Sequence, residues 1–213
     1  MTVPNDATIM AIRVDPKDPN LRIVAVHDQP DRTLLARDAE SLGLTSGMRW
    51  TEELASEIEH FSAIAKARNA SLGLLSRRPW GTAELRRRLE QRGFARDVAA
   101  IVVTALVDDG WMDDQAFAQA LCRSWLKRSP AGSRWLLHKL AEKGVHRELA
   151  ESVVEELLAG TDQQAEADRL AKDRLRKMAS VPEEKARQRV AAALRRRGFD
   201  AETTRAAIDA AFG

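Results

Sequence analysis

One short phrase occurs three times in this chain, and its spacing constrains the fold more than any other feature. Each copy ends an apolar helical pattern with a glycine, and an apolar residue follows. The glycines Gly93, Gly144 and Gly198 are 51 and 54 positions apart. The copies read RLEQRGF from residue 88, KLAEKGVH from residue 139 and ALRRRGFD from residue 193. A recurrence at intervals of this length predicts a tandem array of similar units.

Apolar residues eight and four positions before each glycine predict one buried stripe on a helix. These pairs are Leu85 and Leu89, Leu136 and Leu140, and Val190 and Leu194. Glycine just after a helix can adopt the left-handed conformation that closes it, and the next residue can then pack back on the last turn. Those next residues are Phe94, Val145 and Phe199. The phrase therefore predicts a helix and its stop signal.

A proline precedes each phrase, and a further amphipathic pattern flanks it on either side. Pro79 and Pro130 lie fourteen positions before the glycine, and Pro182 lies sixteen before it. Proline is favoured near the first turn of a helix, where its missing N–H would have had no partner, so we expect each proline to start the middle helix of a unit. Asp200 is a good N-cap for the helix after the third phrase, whereas Ala95 and His146 are poor ones. Each unit is thus predicted to contain three helices.

The first sixty residues have a different period. Residues 8–14 (TIMAIRV) and 21–27 (LRIVAVH) are rich in β-branched residues, and DPKDPN between them favours a turn. The pattern predicts a β-hairpin. The segments RTLLARDAESLGL and TSGMRWTEELASEIEHFS then predict two short helices, with Thr51 as an N-cap.

These patterns predict a mostly α-helical chain. We expect an elongated tandem array of three three-helix repeats, preceded by a small N-terminal region with a β-hairpin and short helices. The predicted domains are residues 1–60, 61–110, 111–160 and 161–213.

Charge is unevenly distributed along the chain. Residues 1–60 carry 6 Lys and Arg against 11 Asp and Glu, a net charge of −5, and residues 61–213 carry 28 against 21, a net charge of +7. A basic region suits a polyanion or an acidic protein surface as partner, although a solvated helix face would have a similar composition. With one cysteine, no signal-peptide pattern and no apolar run long enough to span a bilayer, we expect a soluble, cytoplasmic monomer.

Residues with catalytic or metal-binding chemistry are scattered. The four histidines and Cys122 lack the spacing of metal ligands, so no metal and no cofactor are expected. The acidic cluster DDGWMDD from residue 108 could hold Mg²⁺ or act in acid–base catalysis, but Asp113 stands where a helix should begin, and capping accounts for it. No catalytic residue is identified, and enzyme activity is not expected.

The basic residues recur at equivalent places in the three repeats. They lie at the end of the first helix or on the middle helix, and recurrence there would produce a stripe that suits phosphates or an acidic groove. Cations at helix C-termini are also favourable without a ligand, by about 0.3–1 kcal/mol. The candidate binding residues are Arg77, Arg78, Arg86, Arg87, Arg88, Lys127, Arg128, Arg134, Arg176, Lys177, Arg195 and Arg196. The five tryptophans could stack on bases, but their positions favour core packing.

The order and spacing of these motifs resemble the RecX family of bacterial regulators of the RecA recombinase. The resemblance covers about residues 62–213. It is carried by SRRPWGTAELRRRLEQRGF, then VDDGWMDDQAFAQALCRSWLKR, GSRWLLHKLAEKGV and LRRRGFDAETTRAAID. Trp111 stands where the family usually has tyrosine, and Ser133 stands where proline commonly follows Gly132.

The resemblance implies a non-enzymatic protein of tandem three-helix repeats that binds in the groove of RecA filaments on DNA. It implies inhibition of strand exchange, ATP hydrolysis and co-protease function, and hence a role in recombination, DNA repair and the SOS response. A first alternative is a non-specific DNA-binding protein, for single- or double-stranded DNA, that acts without RecA. A second alternative, a helix-turn-helix reader of sequence, is disfavoured because the arginine-rich helices lack the Asn, Gln and Ser expected for base contacts.

Overall fold

The computed structural model describes residues 7–213 of the chain. In these residues three strands precede ten helices. The strands are β1 (Ile9–Val14), β2 (Leu21–Val26) and β3 (Arg32–Leu35). The helices are α1 (Ala36–Ser41), α2 (Glu52–Leu75), α3 (Thr82–Gln91), α4 (Arg96–Asp108), α5 (Asp114–Arg128), α6 (Ser133–Glu142), α7 (Arg147–Ala159), α8 (Gln163–Arg176), α9 (Glu183–Arg196) and α10 (Ala201–Phe212). Within the described residues no helix is long and apolar enough to cross a membrane.

The N-terminal region contains the predicted hairpin and one strand more. β1 pairs with β2 in antiparallel register, for example Ile12 with Val24, and β3 adds to β2, with Leu21 opposite Leu35. The prediction of a helix from residue 32 was therefore wrong for its first four residues, because RTLL is the third strand and α1 begins only at Ala36. α2 packs on the sheet, where Ile9, Val24 and Ile58 are fully buried.

α2 is one continuous helix of 24 residues. The side chain of Thr51 accepts a hydrogen bond from the Leu54 N–H at 3.2 Å, which confirms the predicted N-cap. The same helix contributes Ile58 to the core beneath the sheet and Leu74 to the core of the first repeat. The domain boundary expected at residue 60 thus falls within α2, and the proposed domain bounds remain a prediction.

The three-helix repeats are confirmed as α2–α4, α5–α7 and α8–α10. All six residues of the predicted stripe, from Leu85 to Leu194, are fully buried. Gly93, Gly144 and Gly198 have φ of 90°, 79° and 81°, and the N–H of the next residue donates to the carbonyl five residues earlier, as from Phe94 to Leu89. This geometry is that of the Schellman motif. The recurring phrase is therefore a helix stop in every repeat.

The prolines lie ahead of the middle helices instead of in their first turns. α3 and α6 begin three residues after Pro79 and Pro130, and Pro182 is the N-cap of α9. In the first two repeats a glycine, Gly81 or Gly132, separates the proline from the helix, and both glycines are in close contact with other segments. The expectation that proline starts the middle helix therefore fits α9, whereas α3 and α6 begin three residues after their prolines.

The chain divides into two compact lobes. The N-terminal lobe comprises residues 7–80 and 85–112, and the C-terminal lobe comprises residues 81–84 and 113–213. The C-terminal lobe contains the second and third repeats, each with its own apolar core, and the first turn of α3 belongs to this lobe as well.

Asp200 caps α10 as predicted, and its carboxylate should give a pH-dependent contribution to stability. The Thr203 N–H donates to it at 2.7 Å and holds the pKa of Asp200 below its ordinary value. A lowered folded-state pKa stabilises the fold above the unfolded-state pKa, and this contribution is lost as pH falls through the folded-state pKa. We expect D200A to lower the free energy of unfolding by about 1 kcal/mol at neutral pH. Urea titrations should show the difference from the unsubstituted chain beginning to shrink below pH ~4 and vanishing only below the folded-state pKa of Asp200, and a difference that persists below that pKa would contradict the assignment.

Candidate interaction surface

The middle helix of the first repeat presents three exposed arginines. Arg86, Arg87 and Arg88 lie between the buried residues Leu85 and Leu89, which fix the orientation of α3 in the core of the N-terminal lobe. The guanidinium of Arg88 donates to Gln91 at 3.4 Å. Arg86 and Arg87 make no hydrogen bond or ion pair with any other residue in 7–213. Two guanidinium groups on this helix are therefore available to an external ligand.

The cationic pair of the first repeat lies just after α2. Arg77 is exposed, and its neighbour Arg78 lies over the ring of Trp80, with the guanidinium carbon 3.5 Å from the ring centroid. Arg78 also donates to the carbonyl of Pro79 at 2.9 Å. This arginine therefore contributes to the local packing as well as to the surface charge.

The remaining candidate cations belong to the C-terminal lobe and lie at or near helix ends. Lys127 and Arg128 form the end of α5, Arg176 and Lys177 end α8, and Arg195 and Arg196 end α9. All six are exposed, as is Arg134 in the first turn of α6. Arg176 pairs with Asp173 at 3.6 Å. The pairs that end α5 and α9, together with Arg134, have no acidic partner in the described part of the chain.

Arg197, which was not among the predicted site residues, joins the third repeat to the second. Its guanidinium donates to the carbonyls of Pro130 and Ser129 at 2.7 and 2.8 Å, and it lies 4.0 Å from the ring centroid of Trp135. Burial lowers the pKa of the Arg197 guanidinium below its ordinary value, and the nearby Arg174 lowers it further. Arg197 therefore directs its charge inward, whereas Arg195 and Arg196 direct theirs to solvent.

Two glycines let the backbones of the second and third repeats touch. The Gly132 N–H donates to the Arg197 carbonyl at 2.8 Å. A Cβ on Gly132 would lie 2.3 Å from the Gly198 carbonyl oxygen, and a Cβ on Gly198 would lie 2.3 Å from the Trp135 nitrogen. We call this contact between residues 129–135 and 195–199 the repeat 2–3 junction. It brings the end of α5, the start of α6 and the end of α9 together.

In the second repeat, the basic residue before Gly144 also contacts the preceding repeat, as Arg197 does in the third. Lys143, the equivalent of Arg197, lies 3.5 Å from the carboxylate of Glu84 in the first turn of α3. At the start of the same helix the Thr82 N–H and hydroxyl donate to the Asp114 carboxylate at 2.8 and 2.6 Å. A basic residue at this position thus reaches the start of the middle helix of the preceding repeat.

The acidic cluster has structural roles. Asp109 pairs with Arg68 at 2.7 Å, Asp113 accepts hydrogen bonds from the N–H groups of Gln115 and Ala116, and Asp114 binds Thr82. The predicted capping by Asp113 is confirmed. No group of three or more His, Cys, Asp or Glu residues that could hold a metal is found in the described chain. Burial raises the pKa of the Cys122 thiol to about 11, so the thiol is protonated at neutral pH.

The tryptophans are mainly packing residues. Trp50 is buried, Trp80 packs against the core of the first repeat, and Trp125 meets Trp135 edge to face with centroids 5.7 Å apart. Trp111 differs, because 58% of it is exposed. The prediction of core packing therefore holds for four of the five residues.

The chain matches the three domain models of one family in order. RecX, first three-helix domain, matches residues 67–106, the second three-helix domain matches residues 113–154, and the third matches residues 161–208. These segments cover more than half of the chain. Each matched segment overlaps the three helices of one observed repeat and of no other.

Several proteins with similar sequences are named regulatory protein RecX. The regulatory protein RecX of Chlorobaculum tepidum is 32% identical over 149 residues, which cover 70% of this chain and 90% of the relative. The regulatory protein RecX of Halorhodospira halophila is 35% identical over 155 residues, which cover 70% of this chain and 91% of the relative. That of Mycobacterium sp. (strain KMS) is 39% identical over 132 residues, with coverage of 60% and 72%.

Two crystal structures share the fold. A regulatory protein RecX has a TM-score of 0.80 at 19% identity, and the match covers 95% of this chain and 99% of that one. RecX from Lactobacillus salivarius has a TM-score of 0.61 at 20% identity, with coverage of 70% and 96%. The sequence matches and the repeats agree, and the chain belongs to the RecX family of regulatory proteins.

Proposed function

We propose that this chain binds RecA filaments on DNA and inhibits their strand exchange, ATP hydrolysis and co-protease function. The observation that carries the proposal is the pair of exposed, unpaired guanidinium groups of Arg86 and Arg87 on a helix held by buried leucines. Membership of the RecX family, the family of RecA regulators that the motifs resemble, supports it. The chain acts in this proposal as a binding protein without catalysis, in the cytoplasm, where RecA filaments form.

Arginine side chains on a rigid helix suit a nucleoprotein filament. A guanidinium binds carboxylates and phosphates through two parallel hydrogen bonds, and a RecA filament on DNA offers both groups. Repeated units can engage successive subunits of a filament, so that a weak contact at each unit becomes a strong one overall. Binding of this kind shifts the filament toward the conformation it fits, or blocks extension at the filament end.

Charge reversal on α3 tests the proposal. We expect R86E/R87E to raise the concentration needed for half-inhibition of RecA ATPase on single-stranded DNA by at least about tenfold, because two attractive charges become repulsive. The dependence of inhibition on salt should weaken at the same time. The measurement is the steady-state rate of ATP hydrolysis against the concentration of added protein.

The matched control reverses two other cations of the same lobe. Lys66 on α2 and Arg96 on α4 are exposed and have no ion pair in residues 7–213, so K66E/R96E makes the same change in net charge. Inhibition by this variant should equal that of the unsubstituted chain. Equal inhibition by R86E/R87E and the unsubstituted chain would eliminate the arginines of α3 as the contact.

A non-specific DNA-binding protein that acts without RecA is the second candidate. The unpaired cations at the ends of α5 and α9 favour it. The two functions differ in the preferred ligand, since a filament regulator should bind a RecA-coated strand more tightly than a bare strand. Fluorescence anisotropy with the same labelled strand, bare and coated, distinguishes them.

A further inference from the structure

We infer that the repeat 2–3 junction is a binding surface for the phosphodiester backbone of DNA. The inference deepens the proposed function, on which it rests for its biological setting, by assigning DNA as the ligand of the C-terminal lobe. The cations concerned are Lys127, Arg128, Arg134, Arg174, Arg195 and Arg196, and we call them the junction cations. All six are exposed.

The contacts of Arg197 place these cations near one another. Ser129, whose carbonyl accepts from Arg197, follows Arg128 directly, and Arg196 precedes Arg197 directly. Arg134 precedes Trp135, whose backbone nitrogen packs against Gly198. Arg174 is close enough to Arg197 to lower its pKa. Arg134, Arg195 and Arg196 belong to the junction itself, and Lys127 and Arg128 lie within two residues of it, where consecutive Cα atoms are about 3.8 Å apart.

The charge at the junction exceeds what the helix ends require. The C-termini of α5, α8 and α9 each carry about half a negative elementary charge, which offsets about one and a half of the positive charges. Asp173 pairs with Arg176, and Asp200 accepts the Thr203 N–H that starts α10. The junction cations have no acidic partner in the described residues. In addition, α6 is the one helix of the described chain with no acidic residue in its first turn.

The surroundings of the junction favour DNA over an acidic protein. Protein interfaces have an apolar centre with few charges, enclosed by a polar rim. The large apolar side chains that are exposed in the described chain, Met10, Val14, Ile101, Val107 and Trp111, all belong to the N-terminal lobe. A cluster of cations without exposed apolar neighbours matches a phosphate backbone, which carries a negative charge per ≈1.7 Å of duplex. Arginine and lysine without Asn or Gln among them indicate backbone contacts instead of base recognition.

The experiment measures binding to bare DNA in the absence of RecA. The probes are a labelled polythymidine strand and a labelled duplex of random sequence, each titrated with the full chain at several salt concentrations. We expect K127E/R128E and R195E/R196E each to weaken binding about tenfold and to reduce the slope of log K against log salt by roughly 1 to 2. The two variants alter different segments of the junction, so both should show the loss.

A control in the same lobe makes the same change in charge elsewhere. Arg189 and Arg205 are exposed, have no partner in the described residues and are not within two residues of the junction. R189E/R205E should bind DNA more tightly than either junction variant. Circular dichroism shows whether each variant is folded, and R195Q/R196Q provides a milder change if a charge reversal unfolds the chain.

The outcomes separate this inference from the proposed function. Equal binding of bare DNA by the junction variants and the control would overturn the inference, and so would absence of binding by the unsubstituted chain. If the junction variants keep DNA binding but lose RecA inhibition, the surface binds protein, which overturns the inference and leaves the proposed function intact. If DNA binding is lost as expected while the unsubstituted chain fails to inhibit RecA, the inference stands and the proposed function fails.

Discussion

Alanine in place of Gly132 or Gly198 is expected to destabilise the C-terminal lobe by about 3 kcal/mol or more. The backbone of Gly132, with φ −84° and ψ 172°, is open to any residue, so strain is not the reason. The reason is space, since the added Cβ would lie 2.3 Å from the Gly198 carbonyl oxygen and 2.6 Å from its carbon. These are backbone atoms that cannot rotate away, and the repeats must separate. Urea denaturation followed by circular dichroism measures the loss.

A third glycine separates the contribution of space from that of strain. Gly93 has φ 90° but nothing within 4 Å of an added Cβ, so G93A incurs only the left-handed backbone penalty of about 1–2 kcal/mol. Gly198 combines φ 81° with a Cβ position 2.3 Å from the Trp135 nitrogen. The expected order of destabilisation is G198A, then G132A, then G93A. A G132A protein as stable as G93A would show that the junction yields easily.

The helix stops could be predicted from the sequence because their causes are local. The glycine, the apolar residue after it and the stripe before it lie within ten residues, and the hydrogen bonds that close the helix join the same residues. The caps at Thr51, Asp113 and Asp200 are local for the same reason. Their number and spacing then defined the three repeats.

The strand β3 could not be predicted in the same way. Its four residues, RTLL, run directly into α1, and two leucines before a helical pattern resemble the first turn of a helix. What makes them a strand is pairing with β2 across the sheet and burial of Leu34 against α2. Both partners are distant in sequence, so local propensity gave the wrong prediction.

The candidate site also combines features with local causes, which the sequence predicts, and features that depend on residues distant in sequence. Arg195, Arg196 and Arg197 are identical in type and adjacent, so the sequence offered no means to distinguish the residue that binds carbonyls 67 and 68 positions away. One signal was available, because a basic residue precedes the glycine of every phrase: Arg92, Lys143 and Arg197. Lys143 and Arg197 each reach the start of the preceding middle helix. Arg92 opens the series, with no earlier repeat for it to reach.

Replacement of Arg197 by methionine should lower the free energy of unfolding of the C-terminal lobe by about 2–3 kcal/mol. Methionine preserves much of the apolar stem but leaves the carbonyls of Ser129 and Pro130 without their donor, and a hydrogen bond to a charged group contributes about 1.5–3 kcal/mol. The contact with the Trp135 ring adds roughly 0.5–1 kcal/mol. Arg197 is partly exposed, so water can replace part of the lost hydrogen bonding to the two carbonyls. The expected loss of unfolding free energy therefore stays at about 2–3 kcal/mol.

The adjacent Arg196 provides the matched control for R197M. Arg196 is the last residue of α9, and Arg197 is the C-cap that follows it. Arg196 is exposed and has no partner in the described chain, so R196M removes the same charge without removing a junction contact. The free energy of unfolding should change by less than about 0.5 kcal/mol in R196M. DNA binding should weaken in R196M because a junction cation is removed directly. In R197M it should weaken because the segment that holds the other junction cations is disturbed. Equal stability of the two variants would mean that the carbonyl contacts of Arg197 do not hold the third repeat on the second.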